Sequence, residues 1–218
     1  MTGTDVFSGW IEERSLLNAA NRWVFETFSD VHRTLPFPLK GAHYDNGREF
    51  INEPLPAWCI ARHVEAARTR PYHKNDNGYA EQKNYDAVRR TVGYFRFDTA
   101  EECDAVAMHC PAEAYRRLCP LYNYRMPSFR LAAKEKQADV RCRKVYEKEP
   151  RTPYERLMES PDISEECKAE LLRRRAGYNP VVMNRRLNEA VGRLLKLNRE
   201  KKYGEKASCQ EDGQVPVA

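Results

Sequence analysis

Apolar and polar positions divide this chain into short elements of two kinds. In TDVFSGWIEER, residues 4 to 14, β-branched and aromatic residues flank a Ser-Gly dipeptide, which predicts the end of one strand, a turn and a second strand. Residues 16 to 32 carry Leu17, Ala20, Val24 and Phe28 at helical spacing. Pro36 and Pro38 then break the chain before a short strand, Leu39 to Tyr44, which runs into Asp45-Asn46-Gly47. A helix follows, with Pro54 and Pro56 expected to disturb its first half. VEAARTR, residues 64 to 70, predicts another short strand, residues 71 to 77 a polar loop, and Gly78 to Val92 a helix.

The order strand, strand, helix, strand, helix, strand, helix is that of an α/β layered domain. Beyond residue 98 the pattern is helical to about residue 131, then basic and irregular to Pro153. Helical stretches over 154 to 176 and 180 to 202 follow, and the tail from 206 to 218 is too polar to pack and is expected to be disordered. No internal repeat is present. With 218 residues, 41% hydrophobic, 11% aromatic and 32% charged, the chain suits one core with an extension.

Chemistry changes this picture in three places. No run approaches the roughly eighteen apolar residues of a membrane helix, and Met1 is followed by Thr-Gly-Thr-Asp, so no membrane partner and a cytoplasmic location are expected. The seven cysteines are scattered and form no Cys-x-x-Cys pair, which argues for free thiols over a disulfide framework or a structural zinc site. The net charge of +5 is mild, but residues 125 to 151 hold nine Lys and Arg against four Asp and Glu. That segment, with Arg141, Arg143 and Lys144 at its centre, suits either a phosphate backbone or a solvated face.

A further oddity is Glu81. On a helix from Gly78, steps of about 100° per residue bring Tyr85, Val88 and Val92 to within about 40° of it, so a carboxylate lies on the apolar stripe. A buried carboxylate must be paired, hydrogen-bonded or bound to a cation, unless its position in the first turn simply favours negative charge. Asp45 ends a strand, and ligands of open α/β sheets bind at the carboxyl ends of strands, although Asp-Asn-Gly is also an ordinary turn. Two carboxylates brought together there would suit Mg²⁺ or Mn²⁺ and a two-metal phosphoryl-transfer site.

Thirty-five residues separate Asp45 from Glu81. YDNGREF, TRPYHKNDNGYAEQKN and TDVFSGWIEE, in that setting, resemble the catalytic core of the retroviral-integrase-type (DDE) transposases of bacterial insertion sequences, over about residues 4 to 97. PRTPYERLMESPDIS is similar to their downstream part. The resemblance implies a ribonuclease H-like fold, an Asp, Asp, Glu triad, Mg²⁺ or Mn²⁺ as cofactor, and DNA integration and transposition by phosphodiester strand transfer. Asp45 then matches the second ligand and Glu81 the third. Lys74 matches a basic loop residue and Asn84 a polar position facing the DNA or the active site, and Arg89 on the same helix joins the DNA-binding set.

The resemblance also marks departures. Arg48 replaces a small hydroxyl residue, and His43 has no catalytic assignment. The family's first Asp lies on an opening strand upstream of the segment matching TDVFSGW, so a truncated or mis-started core is expected, with Asp5 a poor substitute. The implied division is 1–97 as a partial catalytic core, 98–153 as helical continuation and basic segment, 154–205 as a helical C-terminal region, and 206–218 as the tail. Transposon ends and target DNA are the implied partners, and acting on two DNA ends suits a homo-oligomer. The alternative is a remnant that binds DNA, or the full-length transposase, without catalysis.

Overall fold

The hairpin predicted around Ser8-Gly9 is formed by β1 (Thr2–Thr4) and β2 (Ile11–Glu13), antiparallel, with Thr2 opposite Glu13 and Thr4 opposite Ile11. The computed structural model describes residues 1–14, 16, 20–44, 54–70, 82–95, 113–136 and 142–211. Gly9 lies at φ +79°, a conformation that side-chain-bearing residues avoid, and Asp5 accepts the Ser8 N–H at 2.7 Å and its hydroxyl as well. Asp5 is therefore committed to the turn.

Helix α1 (Asn21–Thr34) starts later than its apolar spacing predicted, with Ala20 as its exposed N-cap residue. It buries Val24 and Val31. β3 (Gly41–Tyr44) leads to α2 (Pro54–Ala61), then to β4 (Glu65–Arg68), which pairs parallel with β3. Pro54 and Pro56 do not disturb α2: both sit in its first turn, where a missing N–H costs nothing. At the other end Val64 N–H donates to the Cys59 carbonyl at 2.9 Å, with His63 left-handed at φ +56°, so the chain turns into β4 within three residues.

Next comes α3, a π-type turn at Asn84–Arg89 continuing as α-helix through Arg90–Val92. Then follow α4 (Glu113–Arg125), β5 (Leu131–Lys136) and β6 (Cys142–Tyr146), and three helices, α5 (Pro153–Glu159), α6 (Glu165–Ala176) and α7 (Pro180–Glu211). Three expectations are corrected here. The basic segment expected to be irregular is an antiparallel hairpin, β5 with β6. The single helix expected over 154–176 is two, because Ser160-Pro161-Asp162 interrupts it and both new helices are capped, α5 by a Thr152–Glu155 capping box and α6 by Ser164. The tail expected from 206 begins later, since α7 continues to Glu211.

Three two-stranded ladders are present among the described residues, β1–β2, β3–β4 and β5–β6, and no strand among those residues joins them into one sheet. Two-stranded pieces need cover to be stable. Trp10, Tyr124, Tyr154, Leu157 and Leu171 form one buried cluster, with Trp10 edge-on to Phe37 at 5.7 Å and to Tyr124 at 5.3 Å. Ile11, Ala87, Cys119 and Leu187 form a second, and Tyr44, Leu55, Trp58, Cys59 and Val64 a third. Cys59 and Cys119 are buried free thiols. The first two clusters draw residues from the N-terminal hairpin and from the C-terminal helices, so these parts share one core.

Two buried cations tie loops to that core. Arg14 donates to Glu12, to Asp30, to the Glu13 carbonyl and to Thr34, all between 2.9 and 3.0 Å. Arg156 donates to the Ser8 carbonyl at 3.0 Å, to the Ser128 carbonyl, and to Glu147 at 2.8 Å. Each is compensated as a buried charge must be. The Asn123 side chain covers the outer edge of β2 by accepting from Ile11 N–H at 2.8 Å and donating to the Ile11 carbonyl at 2.9 Å. Asn123→Ala would leave both backbone groups buried and unpaired, and urea denaturation should record a loss of about 2–4 kcal/mol.

Glu13 is the exception. It is 1% exposed, and neither carboxylate oxygen has a hydrogen-bond partner among the described residues. Burial raises its pKa from 4.5 to about 8, with the Met1 ammonium opposing and Glu12 adding to the rise. A carboxyl raised on folding keeps its proton after the unfolded chain has released it, so the Glu13 contribution to stability is most favourable below about pH 4.5 and falls as pH climbs to about 8. Glu13→Gln should remove this decline. Its stability relative to the parent should grow between about pH 5 and about pH 9 by on the order of 3 kcal/mol, read from denaturation curves at both.

Candidate active site and nucleic-acid interface

A parallel pair has both carboxyl ends at the same edge, here Tyr44 of β3 and Arg68 of β4. Alternation along β3 leaves His43 exposed and Tyr44 buried, where it packs with Leu55, Trp58 and Val64 beneath α2. Trp58 fixes this unit to α1: Phe28 stands edge-on to its ring at 5.3 Å and His32 at 4.8 Å, and the Arg62 guanidinium lies 4.5 Å from its centroid. The Tyr44 carbonyl accepts from Thr69 twice, from the backbone N–H at 2.9 Å and from the hydroxyl at 3.2 Å. The last described peptide before Asp45 is thus held at the edge where ligands of parallel sheets bind. The sequence reading did not single out Thr69, although a hydroxyl directly after a strand is a legible signal.

Asp45, Lys74, Glu81 and Arg141 lie outside the described residues. Among those described, no cluster of three or more His, Cys, Asp or Glu side chains could hold a metal ion. Asn84 opens the π-type turn of α3 and is half-buried. Burial holds the Lys83 ammonium below the usual lysine range, with Asp86 opposing that shift.

The apolar stripe expected on this helix holds at Val88 and Val92 but not at Tyr85. Tyr85 is 54% exposed, whereas Ala87 and Val92, five residues apart, are buried. A π-type turn carries more residues per turn than an α-helix, so the phase counted at 100° per residue no longer applies. Val88 and Val92 pack against Leu194 of α7. Asp86's carbonyl accepts from the Tyr122 hydroxyl of α4 at 2.7 Å, and Thr91 Oγ1 donates to the Ala87 carbonyl at 2.6 Å. The Arg89 guanidinium lies 5.1 Å from the Tyr94 ring centroid, and the residue is half-buried.

In the basic hairpin, Arg143 and Lys144 are exposed, Arg143 facing Glu135 in register and Lys144 facing Lys134. The candidate residues therefore fall in two places. The β3–β4 edge and α3 flank the positions of Asp45 and Glu81, and Arg143 and Lys144 stand on a separate hairpin.

No family model matches the chain. The uncharacterized protein y4rM of Sinorhizobium fredii (strain NBRC 101917 / NGR234) is 35% identical over 134 residues, which is 62% of this chain. The matched part spans 37% of that relative's length. No helix among the described residues is long and apolar enough to cross a membrane.

The Tyr122 hydroxyl joins α4 to the π-type turn that follows Glu81. Tyr122→Phe removes that one hydrogen bond and keeps the ring, so urea denaturation should register a loss of about 1 kcal/mol.

Proposed function

We propose that this chain is part of an integrase-type DNA strand-transfer enzyme, a transposase in which Asp45 and Glu81 hold divalent cations. The observation that supports it most is the β3–α2–β4 unit: a parallel pair whose first strand ends one residue before Asp45, followed in the chain by a helix that begins just after Glu81. This order of elements is what a ribonuclease H-like core requires around its second and third carboxylates.

Bound at such carboxylates, Mg²⁺ or Mn²⁺ would polarise a phosphodiester and favour attack by water or a 3′-hydroxyl. The carboxylates act as ligands and not as nucleophiles. Asp5 is a poor substitute for the first ligand, since one oxygen of its carboxylate accepts from both the Ser8 N–H and the Ser8 hydroxyl within the hairpin turn. The second reading, a DNA-binding remnant without catalysis, draws on the exposed basic residues of β6. Such a remnant would bind DNA with a steep salt dependence and ignore divalent ions.

The two readings separate cleanly in an assay of Mn²⁺-dependent nicking and strand transfer on short duplexes. Asp45→Asn and Glu81→Gln should each lower the rate by at least about 100-fold, the scale of losing several kcal/mol of charge stabilisation, while binding in EDTA is unchanged. A parent chain that binds DNA but gives no metal-dependent product, or carboxylate variants as active as the parent, would overturn the catalytic reading.

A further inference from the structure

The hairpin of β5 and β6 has two dissimilar faces. One is turned to the body of the protein: the Arg130 guanidinium lies 4.9 Å from the Phe7 ring centroid, and Glu147 accepts from the buried Arg156 at 2.8 Å. The backbone between is anchored, because Glu147 N–H donates to the Arg130 carbonyl at 2.9 Å and Ser128 exchanges backbone hydrogen bonds with Arg151. Alternation along extended chain then turns the neighbours of Arg130 and Glu147 the other way. Those neighbours are Phe129, 56% exposed, and Tyr146, 50% exposed. Leu131 stands opposite Tyr146 in register, on the same outward side.

Single exposed apolar side chains are ordinary, but two aromatic rings on one face of a short strand pair form a patch. Its surroundings are cationic. Arg143, Lys144 and Lys148 are exposed on or beside β6, and Arg125 is exposed at the end of α4. An apolar partner protein would gain nothing from this ring of positive charge, and a duplex hides the faces of its bases. Unpaired nucleotides offer both matching features, π-faces for the rings and phosphates for the cations.

We propose that this face of the hairpin is a platform for unpaired DNA, with Phe129 and Tyr146 stacking on exposed bases and Lys144 and Lys148, in phase with Tyr146, holding the phosphates between them. The proposal deepens the strand-transfer reading and rests on it for the choice of DNA as partner. A strand-transfer enzyme handles frayed ends and single-stranded overhangs, and this surface would hold such an end apart from the carboxylates.

The test is fluorescence anisotropy on the full chain in EDTA, with labelled oligothymidine and a duplex of equal length, over a range of salt. The Phe129→Ala, Tyr146→Ala double variant should lose at least about 10-fold in affinity for the single strand, with less than about a twofold change on the duplex. Tyr146→Phe should bind as the parent does. Lys144→Gln should weaken both DNAs and lower the salt slope by about one. Circular dichroism confirms folding, and if the double variant does not fold, Phe129→Ala alone carries the comparison. Equal losses on both DNAs, unchanged single-strand affinity in the aromatic variants, or no binding by the parent would overturn the platform. Failure of the catalytic reading looks different: nicking absent from the parent while the aromatic-dependent single-strand binding persists.

Discussion

The Asn123 amide joins the middle of this chain to its N-terminal hairpin. Its oxygen and nitrogen take the N–H and carbonyl of Ile11, 112 residues earlier, as a neighbouring strand would. A strand edge left bare inside a protein costs the desolvation of two strong polar groups, and here a single side chain from α4 meets both. The same strand then serves as a plank. Ile11 packs against Ala87 of α3 and Leu187 of α7, while Trp10 faces Tyr124 and Tyr154 on the other side. Trp10 Nε1–H donates to Glu12 at 2.9 Å, and Glu12 accepts from Arg14 at 2.9 Å, so of the plank's acids Glu12 is engaged from within it while Glu13 is not. The C-terminal helices are therefore part of the core that positions α3, the helix after Glu81, and not an appendage to it.

This has a consequence for any chemistry at Asp45 and Glu81. Their flanking elements are fixed by different means. β3 is held by Trp58 and by the pair of hydrogen bonds from Thr69 to Tyr44, all local to the first 70 residues. α3 is held by Tyr122 and by Val191 and Leu194 of α7, which come from the far end of the chain. Bringing the two positions to one place requires the C-terminal helices to be folded. A fragment ending near residue 97, where the resemblance ends, would keep the first support and lose the second.

Much of this was legible from residue chemistry. The Ser-Gly turn, the strand before Asp45 and the strand after Val64 follow from local signals, because each is bounded by turn residues or prolines. Other features were written in the sequence but need finer reading: Thr152 with Glu155 is a capping box, and Pro161 stops a helix. Pro54 and Pro56 were legible too, with the opposite meaning, as first-turn residues instead of breakers. The hairpin of β5 and β6 was not legible. LAAKEK and RCRKVY have little strand propensity, and the pairing depends on Arg156 and Arg151 holding its base. The exposure of Tyr85 on α3 was hidden for a related reason, since a π-type turn leaves no periodicity of its own in the sequence.

Net charge is likewise a poor guide until the structure divides the cations by use. Arg14 and Arg156 are buried and fully engaged, and Arg174 donates to the Thr34 carbonyl at 2.8 Å. Arg173, Arg185 and Lys196 pair with acids along their own helices, where exposed ion pairs contribute little and largely cancel in the field. What remains for a polyanion is a smaller set, with Arg143, Lys144 and Lys148 on the hairpin and Arg186 and Arg193 exposed on α7. The overall +5 thus understates the positive potential over the hairpin, because Glu147, half-buried at its base, is neutralised from behind by Arg156. An arginine used as a core strut thereby takes Glu147 away from the exposed cations of β6, and Glu135 opposite Arg143 is the acid they still meet on the hairpin.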